Sequence, residues 1–167
     1  MFTGEEQGLL GSRAYLKQHQ AEVHNFVCAV VLDWGSGPII RFPFAGHDEF
    51  AAPFLELFRL SKALTSITTS PGYLMFTDAY SFTLVGIPGI AALQDSPNYT
   101  MVGHSGADTL DKVNESTLNQ DTAMTASIAI WVADYPVRIG SVWSPEQTSQ
   151  SLQEQRKSLQ LLGLWPF

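Results

Sequence analysis

Phe26-Val27-Cys28-Ala29-Val30-Val31-Leu32-Asp33 is the stretch that decides the fold. Its seven apolar residues run without the polar alternation of a half-solvated strand, so they predict a strand covered on both faces, inside a sheet with helices on either side. Upstream, the pairs Leu9/Leu16 and Leu10/Ala14 repeat at helical spacing and predict an amphipathic helix over Leu9 to Gln20. Downstream, Trp34 to Pro38 reads as a loop, Ile39 to Phe44 as a short strand and Glu49 to Ala63 as a helix. Leu64 to Thr68 suits a strand, Tyr80 to Val85 a short helix, Ile87 to Leu93 a buried strand and Ser116 to Ala133 a helix. Between the last two lies a polar connection, Gln94 to Lys112, of the kind that carries function when ordered. Strands alternating with helices and no internal repeat give the class: a three-layer α/β domain with helices on both faces of one sheet. Ligands of such sheets collect beyond the carboxyl ends of the strands.

Composition narrows the function classes. The 167 residues are 45% hydrophobic and 15% charged, which fits one globular domain with its own core. A net charge of −7 lacks the basic footprint that nucleic acid or an anionic membrane requires, so neither is expected as a partner. Cys28, the single cysteine, excludes an intrachain disulfide and a cysteine-based zinc finger. No apolar run is long enough to cross a bilayer, and Met1 to Gln7 has no secretory-signal pattern, which leaves the compartment unassigned.

Several polar residues could carry chemistry. Glu5 and Glu6 are adjacent, so on a loop one can hold a cation while the other points into a neighbouring cleft; alternatively both favour the positive end of the helix that follows. Asp33 ends an apolar strand, where a carboxylate is costly to desolvate unless a cation or several donors meet it; the alternative is a strand-ending Asp that caps a turn through Gly35. His104, in Val-Gly-His-Ser-Gly-Ala-Asp-Thr, has the setting of a metal imidazole with Asp108 as an outer partner. His19, His24 and His47 read as solvated or capping residues. Glu, Asp and His at strand ends and in following loops are oxygen and nitrogen donors that Zn²⁺ accepts.

Thr3-Gly4-Glu5-Glu6-Gln7-Gly8-Leu9-Leu10-Gly11-Ser12, then Leu32-Asp33, then His104-Ser105-Gly106-Ala107-Asp108-Thr109 resemble the co-catalytic zinc exopeptidases, with Thr77-Asp78 and Gly86-Ile87-Pro88-Gly89 in support between them. The resemblance runs from about residue 2 to 134 and implies a zinc-exopeptidase-like sheet, peptide substrates and a site of two zinc ions. It makes Glu5 the general base, Glu6 and His104 ligands of one zinc, and Asp33 a ligand of the other. Asp108 and Asp78 become supporting residues, and Tyr73 a candidate substrate contact. A secreted or periplasmic setting is compatible with the resemblance.

The sequence departs from the family in one respect: no His-x-Asp segment, whose Asp bridges both metals in the family, precedes Glu5-Glu6. Residues 1–135 are therefore expected to be the C-terminal part of a catalytic domain whose sheet lacks its N-terminal strands, and residues 136–167 a tail ending in a helix over Glu146 to Leu162. One zinc or none is expected in this chain, with a second copy or the missing part covering the exposed sheet. Met1-Phe2-Thr3 is too short for a secure strand, so Glu5 is expected on a weakly held terminus. The competing function class is a non-catalytic binding or structural domain that keeps the fold without its metals.

Overall fold

The computed structural model describes residues 1–60, 67–97 and 99–167. Four strands, β1 (Ala29–Leu32), β2 (Ile39–Pro43), β3 (Thr68–Ser70) and β4 (Gly89–Gln94), form one sheet in the order β1-β4-β2-β3. β1 runs parallel to β4 with Ala29 beside Gly89, β2 runs antiparallel to β4, and β3 returns parallel to β2. The helices are α1 (Leu10–Gln18), α2 (Ala51–Leu60), α3 (Asp78–Thr83), α4 (Tyr99–Val102), α5 (Glu115–Asp134), α6 (Pro145–Ser151) and α7 (Arg156–Leu161). Among the described residues no helix is long and apolar enough to cross a membrane.

Two cores lie on opposite faces of the sheet, which makes the arrangement three-layered. On one face, Phe42 and Phe44 of β2 meet Phe54 and Phe58 of α2, with ring centroids 5.1 Å apart for the edge-on Phe44–Phe54 pair. Ile90 and Ala92 of β4 and Ile128 of α5 complete that layer. On the other face, Phe82 of α3 and Leu16 of α1 pack with Ile87, Phe2, Tyr15 and Phe26. The hydroxyls of Ser12 and Ser81 lie 2.8 Å apart in the seam between α1 and α3, so each buried polar group finds a partner. α3 lies directly on β4 because Gly89 has no side chain: a Cβ there would stand 2.2 Å from the Ala79 carbonyl oxygen. A third cluster, Leu9, Tyr80, Leu84, Leu152, Leu159 and Leu164, fixes the C-terminal segment to the α1/α3 side.

Local chemistry sets the helix starts. The Asn114 side chain accepts the Thr117 N–H at the start of α5. Ser144 and Gln147 cap α6 reciprocally, with Pro145 in its first turn.

Several elements differ from the sequence reading. β1 is four residues long, not seven, because Phe26 turns into one core while Val27 and Cys28 pack into the other without pairing. It is half-buried, and its outer edge carries no strand among the described residues. The helix expected over Glu49 to Ala63 begins as a 3-10 turn, Asp48–Phe50, and continues as α2; residues 61–63 lie outside the described residues, as do 64–66 of the expected strand Leu64 to Thr68. Residues 145–161 form α6, a 3-10 turn and α7 in place of one helix, because fully buried Leu152 turns the chain toward Leu159. His47 is neither solvated nor capping. It is fully buried, its ring stacks on Trp143 at 3.7 Å, and its Nδ1 lies 3.1 Å from Glu49. That burial pulls its pKa below the usual histidine range.

Candidate active site

Glu5 and Glu6 sit at the apex of a turn that the first residues of α1 hold in place. The N–H groups of Gly8 and Leu9 donate to the Glu5 carbonyl at 3.0 and 2.9 Å, that of Leu10 to Gly4 at 3.0 Å, and that of Gly11 to Thr3 at 2.8 Å. Phe2 packs between Tyr15 and Phe82, with centroids 5.6 and 6.0 Å away. The terminus is thus tied down, contrary to expectation, because the helix N–H groups that lack intrahelical partners use its carbonyls. Gly11 permits the approach: a Cβ there would meet the Thr3 carbonyl oxygen at 2.5 Å.

Asp33 leaves the carboxyl end of β1 beside the carboxyl end of β4. The loop that follows is locked against β4, where Asp95 donates its N–H to Pro38 at 2.8 Å and Ser96 Oγ accepts the Gly37 N–H at 3.0 Å. Gly37 has no alternative, since a Cβ would fall 1.4 Å from the Asp95 carbonyl oxygen. From Ser96 the chain runs through Tyr99 of α4 to His104, whose φ of 59° is left-handed. His104 Nε2 reaches Glu6 Oε1 at 2.8 Å, a contact open to solvent.

Glu5, Glu6, Asp33, His104 and Asp108 line one cavity of ≈ 910 Å³, within the usual range for ligand sites. Burial, then Asp33, Glu6 and Asp78, push the Glu5 carboxyl up to about 7, against a smaller opposing pull from His104. Asp33 is raised by desolvation and by the charges of Asp78 and Glu6. Asp78, at the start of α3, keeps Oδ1 buried with no hydrogen-bond partner. Tyr99 is raised by burial and by the surrounding carboxylates, Glu6 first.

Tyr73 is not brought to this cavity. Its hydroxyl is taken up by Ser151, donating to the Ser151 carbonyl at 3.1 Å, and its ring packs on Tyr80. The cavity instead recruits other residues, among them Trp34, whose place next to Asp33 in the sequence suits a pocket wall and aromatic packing equally. Trp34 and Tyr99 stand with centroids 6.0 Å apart, and Phe76, Leu162 and Leu164 form part of the wall. Among the described residues, three of the four non-glycine residues with positive φ, Leu9, Phe76 and His104, line it too. Such conformations cost about 1–3 kcal/mol each and cluster where function requires them.

The donor set fits zinc in kind: carboxylate oxygens and an imidazole nitrogen, with an orphaned buried carboxylate oxygen beside them and a surplus of negative charge. In number it is short. Among the described residues no three His, Cys, Asp or Glu side chains converge closely enough to hold an ion.

Comparison with known proteins places the chain. Carboxypeptidase Q from Xenopus laevis is 28% identical over 134 residues, which cover 80% of this chain, and the Homo sapiens protein matches to the same extent. The matched region spans 28% of the length of each of these relatives. A crystal structure of a Peptidase M28 precursor from Shewanella amazonensis superposes with a TM-score of 0.72 at 28% identity, covering 86% of this chain and 33% of that one. Residues 1–129 match Peptidase family M28, and the chain belongs to that family.

Proposed function

We propose that this chain carries part of the active site of a zinc-dependent exopeptidase, a hydrolase that releases residues from peptide ends. The observation that carries the reading is the 2.8 Å contact between Glu6 and His104, residues 98 positions apart by number, on the wall of a cavity that also holds Glu5 and Asp33. Glu6 and His104 would hold one zinc and Asp33 a second, with Asp78 and Asp108 supporting. Zinc held by these residues would supply Lewis acidity toward the substrate carbonyl. Glu5 takes a proton from the attacking water on its carboxylate and passes it to the leaving nitrogen, so that one C–N bond breaks as one C–O bond forms. The tied turn between Gly4 and Leu9 keeps that carboxylate at the cavity while its neighbour faces His104.

One observation favours a second reading for the chain by itself, a non-catalytic peptidase-like binding domain: no three ligands converge among the described residues. Zinc content and hydrolysis of aminoacyl and dipeptide substrates separate the two. On the first reading Glu5→Gln lowers turnover by about 100-fold or more and leaves zinc content unchanged, while His104→Ala lowers both. Equal zinc content after His104→Ala removes that residue from the site. A chain that takes up no zinc and shows no turnover, in wild type and variants alike, supports the second.

A further inference from the structure

The two edges of the sheet are built differently. β3, at one edge, is the three residues Thr68–Ser70, short and polar in the manner of a protected edge. β1, at the other, is Ala29-Val30-Val31-Leu32, with no lysine, proline or bulge to blunt it, and its register with β4 is unbroken from Ala29 to Leu32. The Ala29 N–H donates to the Pro88 carbonyl at 2.9 Å, so by strand alternation Ala29 and Val31 turn their backbone groups to β4. Val30 and Leu32 turn theirs outward, where no strand meets them among the described residues.

α5 covers β1 on one face, through Met124 and Ile128 packed in the core that Val30 and Leu32 join. Its outer side is bare. Between Glu115 and Asp134 the helix carries one charged residue, Asp121, and that one is buried, while Ala126, Ala129, Ile130 and Ala133 are exposed. The hydroxyls of Thr122 and Ser127 donate to the helix's own carbonyls of Leu118 and Ala123, at 2.7 and 2.8 Å. Two copies of a chain with net charge −7 repel wherever their charges face one another, and this surface offers none. The ends of the edge, by contrast, are opposite in charge: Arg138 donates to the Phe26 carbonyl just before β1, and exposed Asp33 follows its last residue. An antiparallel copy brings the basic end of each edge alongside the acidic end of the other.

We propose that the β1 edge takes a second copy of this chain, antiparallel about a two-fold axis at Val31. In that register Val30 of each copy stands opposite Leu32 of the other, and these are the residues whose N–H and C=O groups point outward, so each pair exchanges both hydrogen bonds. A two-fold axis perpendicular to the sheet leaves both α5 helices on one face, side by side, where small residues let their axes approach to roughly 8–10 Å. The pairing makes no demand on the metal site.

Sedimentation equilibrium of the full chain, from micromolar to near-millimolar concentration, is expected to rise to twice the mass of one chain. Ala126→Glu combined with Ala129→Glu, both on the exposed side of α5, should return the single-chain mass with helical circular dichroism unchanged. A cysteine scan in a Cys28→Ala background reads the register. The two Val31 residues form a non-hydrogen-bonded pair with Cα atoms about 4.5 Å apart, within reach of a disulfide, so oxidised Val31→Cys should run as a covalent dimer that reductant reverses. Val30→Cys, opposite Leu32, should not. A wild type of single-chain mass at every concentration overturns the proposal and leaves the edge to a strand of another protein. A dimer that survives the paired glutamates overturns it too, as does cross-linking that is absent at Val31 or equal at Val30.

Discussion

Glu5 shows how position, more than identity, sets the proton affinity of a carboxylate. Its neighbours Asp33, Glu6 and Asp78 are all negative and its turn is partly buried, so its proton is held up to about pH 7, against an ordinary value of 4.5. A group whose folded pKa lies above its unfolded one stabilises the fold at low pH, and that contribution is lost as pH rises through the folded value. In metal-free protein Glu5→Gln should therefore raise the urea midpoint more at pH 8 than at pH 5; an equal change at both would show that the carboxylate is not strained by its neighbours. Comparing wild type and variant at each pH cancels His47, whose lowered pKa works in the opposite sense. At this scale the sequence singled out Glu5, Glu6, Asp33, His104 and Asp108, and these residues line one cavity, whereas the exposed ring of Phe76 follows from a backbone angle that no spacing reveals.

Elements were legible where periodicity reports burial and illegible where tertiary packing overrides it. α5 and β4 follow their patterns closely, but the apolar run at Phe26 to Cys28 divides between two cores, and the polar tail breaks at Leu152 to insert three leucines under Tyr80. Tyr73 was drawn away by the same tail through Ser151. One buried connection binds the layers across these elements. Asp121 of α5, 2% exposed, accepts the Ile39 N–H at 3.2 Å and the Gln94 amide at 2.8 Å. Asp121→Ala strands both donors and should cost about 1–3 kcal/mol, read from denaturant unfolding. Gly37→Ala is expected to act at the site: its Cβ cannot coexist with the Asp95 carbonyl, so the loop after Asp33 must shift. The measurement is zinc content at unchanged helical circular dichroism, and full zinc retention would uncouple that loop from the metal.

Across the whole molecule, one of the cores lies away from the Glu5–Glu6 turn while the others hold it. The phenylalanine cluster of β2 and α2 lies away from the Glu5–Glu6 turn, so Phe54→Ala should lower unfolding free energy by about 3–5 kcal/mol, read from denaturant unfolding, while the protein that remains folded keeps whatever zinc content the wild type has. Leu159→Ala, in the buried cluster that seats the tail, should cost about 2–5 kcal/mol, read as a lowered melting temperature. The bare backbone where α3 rests on β4 has a consequence for anyone diversifying this protein. A glycine inside a strand is an obvious target for entropy-reducing replacement, and Gly106, with open space around its missing Cβ, should accept one. Gly89 should reject every residue in a saturation library, because the smallest methyl group would lever up the helix that begins at Asp78.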